Sequence, residues 1–214
     1  PRKGLEESIV RTDVRDIVLL LDLSTSMRAE DLSSAGRTID RLGAAKEVIA
    51  KFVEKRPDDR IGMVAFSALP YTVSPLTLDH GWLVRQLGRL EAGMIEDGTA
   101  IGDGIASAVN RLRESKARSK VIVLLTDGIN NRGELTPEDA ARAARALGIR
   151  VYAVGAGAGG AVRIPVQESS GETRYVLQES GIDEASLTAI ADTTGGRYFR
   201  AADFTALEEV YARI

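Results

Sequence analysis

Ile17-Val18-Leu19-Leu20-Leu21 runs without a polar break into Asp22-Leu23-Ser24-Thr25-Ser26. A strand with one wet face alternates apolar and polar residues. A strand that is apolar throughout is buried on both faces, as in a parallel sheet covered by helices on each side. Val121-Ile122-Val123-Leu124-Leu125 repeats the pattern and runs into Thr126-Asp127-Gly128. Two buried strands therefore end in an acid, and in a parallel sheet both ends lie on the same edge.

The rest of the chain alternates in the same way. Leu42, Ala45, Val48, Ile49, Phe52 and Val53 recur at helical spacing within 41–55, and Pro57-Asp58-Asp59 stops that helix before a strand at 60–67. A short edge strand is expected at 71–73. A helix capped by Asp79 follows to about Leu90, and another runs from Thr99 to about Glu114. Thr136-Pro137-Glu138-Asp139 is a helix start, with a capping hydroxyl, a proline in the first turn and acids that complement the helix dipole. Gly148 ends that helix before a strand at 150–154. Gly155 to Gly160 reads as a flexible lead-in to a hairpin at 164–177 that turns around Ser169-Ser170-Gly171. A helix at 183–193, a strand at 197–200 and a helix from Asp203 to the end complete the chain.

The expected fold is α/β: a doubly wound, mainly parallel six-stranded sheet with one antiparallel edge strand and helices on both faces. Residues 1–15 are expected as an N-terminal extension. Residues 16–214 are expected to form one domain, with a hairpin insertion at about 160–178.

Composition narrows the function. With 31 acidic and 28 basic residues and net charge −3, there is no clustered basic footprint for nucleic acid. The absence of cysteine excludes disulfides, thiolate chemistry and thiolate-bound zinc. His80 is the single histidine, too few for a His-based metal site. No apolar run approaches the roughly 20 residues of a membrane helix. The chain begins at Pro1 without a methionine and is expected to be an excised or processed piece of a longer protein, which leaves open whether that protein carries anchoring segments elsewhere.

In doubly wound sheets ligands bind beyond the carboxyl ends of strands where the winding reverses. Asp22 and Asp127 supply negative charge there, Ser24 and Ser26 supply hydroxyls, and Thr99 follows Glu96-Asp97-Gly98 at the start of a helix. Such an all-oxygen set suits Mg²⁺, Mn²⁺ or Ca²⁺ better than zinc or copper. It is too small to fill six positions without water, so an exchangeable position remains for a carboxylate from another molecule.

These residues, in this order and on these elements, resemble the metal-ion-dependent adhesion site (MIDAS) of von Willebrand factor A (VWA) domains. Within that superfamily the chain is most similar to the bacterial proteins of the Bat (aerotolerance) operons, of the BatA/BatB type. The stretches that carry this include D59-R-I-G-M-V-A-F, E96-D-G-T-A-I-G-D-G-I, S119-K-V-I-V-L-L-T-D-G and T194-G-G-R-Y-F-R-A. Thr25 departs from relatives that carry glycine in the D-x-S-G-S form. The resemblance implies that Ser24, Ser26 and Thr99 bind a metal through their hydroxyls, with Asp22 and Asp127 binding directly or through water. Mg²⁺ is the expected ion. It also implies a parent protein anchored in the bacterial cytoplasmic membrane with this domain periplasmic. Other Bat proteins and a MoxR-type AAA+ ATPase are the expected partners.

The function expected on these grounds is non-enzymatic: a binding module that grips a partner's Asp or Glu through the metal. A metal-assisted, phosphatase-like hydrolase is the rival. Ser24 stands where a haloacid-dehalogenase-type enzyme carries its second acid, and only Arg28 offers itself as a phosphate clamp. A vestigial metal site, with binding at the hairpin, is the third reading. Asp97 reads as a turn residue, His80 as a surface residue of a first helical turn, and Asp103 either as an acid that orients a loop or as a solvated one. Met27 is read either as core or as part of the rim of the site.

Overall fold

The computed structural model describes residues 14–32, 38–167 and 172–214. Along the chain come β1 (Arg15–Asp22), α1 (Arg41–Glu54), β2 (Arg60–Phe66), β3 (Pro70–Thr77), α2 (His80–Gly88), α3 (Ile101–Leu112) and β4 (Ser119–Thr126). Then follow α4 (Pro137–Ala146), β5 (Ile149–Ala156), β6 (Gly160–Gln167), β7 (Thr173–Ser180), α5 (Glu184–Thr194), β8 (Tyr198–Ala201) and α6 (Phe204–Arg213). Six strands form the main sheet in the order β3-β2-β1-β4-β5-β8, and only the β2–β3 pair is antiparallel. This is the doubly wound sheet expected from the sequence.

The central strand shows why β1 lacks alternation. Ile17, Leu19 and Leu21 pack into a core shared with α1, α2 and α6, whereas Val18 and Leu20 pack into a second core shared with α3, α4 and α5. All five are at most 1% exposed. Each such side chain contributes roughly 2 kcal/mol of burial, so neither face tolerates a polar residue. The winding reverses between β1 and β4, which pair in parallel with Leu21 opposite Leu125. That register sets Asp22 and Thr126-Asp127 side by side at the carboxyl edge.

Several elements differ from expectation, each for a physical reason. β3 is longer than 71–73, because Pro75 and two register shifts against β2 break the alternation that marks a strand. α3 starts at Ile101 rather than Thr99. Its first amides are capped from another loop, with Ile101 N donating to Asn130 Oδ1 at 2.7 Å. Thr99 therefore remains a loop residue. Gly155 and Ala156 belong to β5. The missing Cβ of Gly155 makes room for Tyr198, whose Oη would lie 2.8 Å from it. β6 and β7 form a separate hairpin, longer than 164–177. Its turn at Ser169-Ser170-Gly171 lies outside the described residues, as does most of the 1–15 segment. Met27 is fully buried in the first core, so the rim alternative for it is corrected.

α3 packs closely on the segment that leads into α4. A Cβ at Gly102 would come within 2.0 Å of Leu135 O, a backbone atom that cannot move aside cheaply. Gly102→Ala is expected to cost about 2 kcal/mol or more in urea unfolding. A variant as stable as the parent would contradict this packing.

Candidate metal centre

Asp22 ends β1, and the chain turns at once into a 3₁₀ turn at Thr25–Arg28, fastened by Leu23 N to Phe66 O at 2.7 Å and Met27 N to Ser24 O at 3.0 Å. Asp22 Oδ1 accepts from Ser24 N at 2.8 Å, and Oδ2 accepts from Thr126 Oγ1 at 2.5 Å. The Ser24 and Ser26 hydroxyl oxygens are 3.0 Å apart, and Ser26 Oγ donates to Asp127 Oδ1 at 2.7 Å. Four of the five residues singled out in the sequence are thus joined in one hydrogen-bonded chain across the ends of β1 and β4.

Thr99 approaches from a third loop. Its N donates to Asn131 Oδ1 at 2.9 Å and its O accepts from Asn131 N at 3.0 Å, which ties it to the loop after β4. A Cβ on Gly128 would lie 3.2 Å from Thr99 Oγ1, so a glycine there lets the hydroxyl sit beside Asp127. Thr99, Ser26 and Asp127 line one cleft of about 230 Å³, and Thr99 Oγ1 has no hydrogen-bond partner among the described residues. Val162, Ile164 and Ser180 of the hairpin form its opposite wall. Among the described residues no three Asp, Glu or His side chains converge, so a cation here must lean on hydroxyls. Two carboxylates and three hydroxyls fit a hard divalent ion.

Neighbouring residues brace this chain. Asp97 ties its loop to the Asp22–Ser26 loop, accepting hydrogen bonds from Thr25 N and Thr25 Oγ1, both at 2.9 Å. That bond also gives Thr25 a job that glycine could not do. Asp103 orients a loop, accepting from Leu135 N at 2.9 Å and Glu134 N at 3.1 Å. Arg28 hydrogen-bonds Ala92 O with two nitrogens, a structural use that leaves it a poor phosphate clamp. His80 Nε2 lies 2.9 Å from Asp59 O, far from the site in the topology, at the opposite edge of the sheet.

The sequence reading missed Arg41 and Asp31. Arg41 is fully buried, and its Nη1 donates to Asp127 Oδ2 at 2.7 Å and to Ser180 Oγ at 3.0 Å. Its Nε and Nη2 form a paired bond with Asp31 at 2.7 and 2.6 Å. A cation in the first turn of a helix opposes the helix dipole, and that conflict was the one available sequence signal. Asp31 gave none, since its partner is brought to it by the fold.

Burial drives the electrostatics. Desolvation, followed by repulsion from Asp127, pushes Asp22 up to about 7, against the hydrogen bonds from Thr126 and Ser24. Burial also pushes Asp127 up, opposed by the Arg41 guanidinium. Asp31 is likewise disfavoured by burial, but the hydrogen bonds and charge of Arg41 hold it below the usual range. Without metal, the folded state keeps a proton on Asp22 that the unfolded chain releases near pH 4. Stability in EDTA should therefore fall as pH rises from about 4 to about 7, by roughly 1–3 kcal/mol in urea unfolding. A flat or rising profile would contradict the buried pair.

Comparison with known proteins agrees with this fold. The von Willebrand factor type A domain model matches residues 16–213. The crystal structure of a conserved hypothetical protein BatB from Bacteroides thetaiotaomicron superposes with a TM-score of 0.77 at 28% identity, covering 94% of this chain and 98% of that one. An aerotolerance-related membrane protein from Bacteroides fragilis gives 0.75 at 27% identity, covering 94% and 100%. Proximal thread matrix protein 1 from the mussel byssus, solved with a zinc-occupied MIDAS motif, shares the fold at a TM-score of 0.69 and 21% identity, covering 94% and 44%. Curated bacterial relatives are 26–32% identical, and this chain spans 54–60% of their length.

Proposed function

Since this chain belongs to the von Willebrand factor type A family, we propose that its carboxyl-edge site holds one divalent cation and uses it to grip a carboxylate on a partner protein. The observation that carries this reading is the convergence of Asp22, Ser24, Ser26, Thr99 and Asp127, from three separate loops, at the point where the sheet winding reverses. The cation would supply a focus of positive charge for an incoming Asp or Glu. Asp22 and Asp127 would supply the balancing charge, directly or through water, and Ser24, Ser26 and Thr99 would offer hydroxyl oxygens, with Asp127 also holding Ser26 through the hydrogen bond it accepts. No bond of the partner is made or broken, so the reading is adhesion without turnover.

The surroundings support a protein partner. Leu69, Met94 and Ile129, on three loops of the same edge, are each more than half exposed, and Leu177 on the hairpin is 71% exposed. Exposed apolar side chains gathered around a polar centre are typical of an interaction face. The all-oxygen set favours Mg²⁺, with Mn²⁺ or Ca²⁺ as alternatives; zinc in the mussel protein's motif makes Zn²⁺ the necessary comparison. By analogy with the Bat-type relatives, the parent protein is proposed to be anchored in the bacterial cytoplasmic membrane by segments outside this chain. Its domain would face the periplasm and bind other Bat proteins or a MoxR-type ATPase. Among the described residues no helix is long and apolar enough to cross a membrane.

Calorimetric titration with Mg²⁺, Mn²⁺, Ca²⁺ and Zn²⁺ tests the site, and capture of partners from native membranes with and without EDTA tests its use. One-to-one binding of a hard ion and EDTA-sensitive capture are expected. No heat and no thermal shift at millimolar ion would overturn the proposal.

A further inference from the structure

The hairpin and the candidate metal centre share one cation of the protein's own. The Arg41 guanidinium is 0% exposed and stands at the first position of α1, where the helix dipole disfavours positive charge. It is held there by what surrounds it. On one side it grips Asp31, whose Oδ2 also accepts from Ala158 N at 2.9 Å. On the other it grips Asp127 Oδ2. Between them it donates to Ser180, the last residue of β7. Gly157 has φ +128°, and a Cβ on it would lie 2.5 Å from Arg41 Nη2, so only glycine lets the chain pass so close. Both ends of the β6–β7 hairpin thus close over this guanidinium and seal it against Asp127.

Resting on the reading of this site as a divalent-cation site, we propose that Arg41 is a positioning residue that competes with the cation for Asp127 and thereby lowers the site's affinity for metal. One oxygen of Asp127 faces Ser26 and the other faces Arg41. A dication bound on the Ser26 side shares that carboxylate with a fixed positive charge buried in a low-dielectric interior, where like charges repel strongly. Asp31 moderates the competition by drawing the guanidinium the other way. The site is then held weakly alone and strengthened when a partner's carboxylate adds negative charge. Metal and partner binding become cooperative.

The test is Mg²⁺ titration by calorimetry on the folded domain, with circular dichroism as the folding control. Arg41→Met removes the competitor and is expected to tighten Mg²⁺ binding by about tenfold or more. Arg41→Lys keeps the charge and guards against loss of fold; it should stay within a few-fold of the parent. Asp31→Asn leaves the guanidinium leaning on Asp127 alone and should weaken binding several-fold. A purely structural role for Arg41 would weaken binding in both the Arg41→Met and the Asp31→Asn variants, and that result overturns the proposal. If neither the parent nor Arg41→Met binds Mg²⁺, the metal-site reading itself fails. Binding by Arg41→Met alone would support the competition directly.

Discussion

Asp22→Ala is expected to lose more than about 100-fold in affinity for a divalent cation and to abolish EDTA-sensitive partner capture, while the domain stays folded. The two halves of this expectation have different causes. Affinity falls because Asp22 is the carboxylate at the centre of the hydrogen-bonded chain, between Ser24 and Thr126, and without it the site loses the charge that offsets a dication. Stability is spared because Asp22 is fully buried and close enough to Asp127 to be repelled by it. Removing it ends that desolvation cost, which offsets the acceptor lost to Thr126 Oγ1. Urea unfolding in EDTA should place the variant within about 2 kcal/mol of the parent. A collapse of the fold would show that Asp22 is chiefly structural, and undiminished capture would sink the adhesion reading.

Arg41→Met should do the reverse, with a large effect on stability. It strands Asp127, which is fully buried, and the partly buried Asp31, and breaking a buried ion pair such as that with Asp127 by removing one partner costs about 3–5 kcal/mol. For a domain of this size that is a fall in Tm of about 10 °C. The loss should be greatest in EDTA and smaller in Mg²⁺, since a bound dication would supply charge to Asp127 that the guanidinium no longer does. Differential scanning calorimetry of both variants, with and without Mg²⁺, reads both effects. Equal Tm for parent and Arg41→Met in EDTA would mean that the buried network contributes little.

Much of this was legible in the residues. Ile17–Leu21 and Val121–Leu125 announced strands buried on two faces, because only a sheet covered by two helix layers leaves no face for polar residues. Asp79, Thr136 and Asp183 read as helix starts, and each accepts a backbone amide three residues on, as a cap does through purely local geometry. The D-x-S-x-S string and the T-D-G turn were placed on one edge by the parallel register alone. These features depend on a few consecutive residues or on the periodicity of one element, so the sequence by itself determined them.

Tertiary structure decided the rest. β3 was underestimated because Pro75 and the bulges spoil its pattern, and its pairing with β2 is a long-range matter. Thr99 was drawn into α3 because nothing local shows that Asn130, on another loop, caps that helix in its place. Met27, beside the site in sequence, turned inward because the 3₁₀ turn gives its side chain to the core. Arg41 began a helix in the sequence and ended at the heart of the site, tied to Asp31, Asp127 and Ser180, which lie 10, 86 and 139 residues away. Buried charge is favourable only with partners in place, and those partners are assembled by the fold. The sequence named the loops that carry the candidate ligands; only the packed structure shows what holds them and which guanidinium is buried beside them.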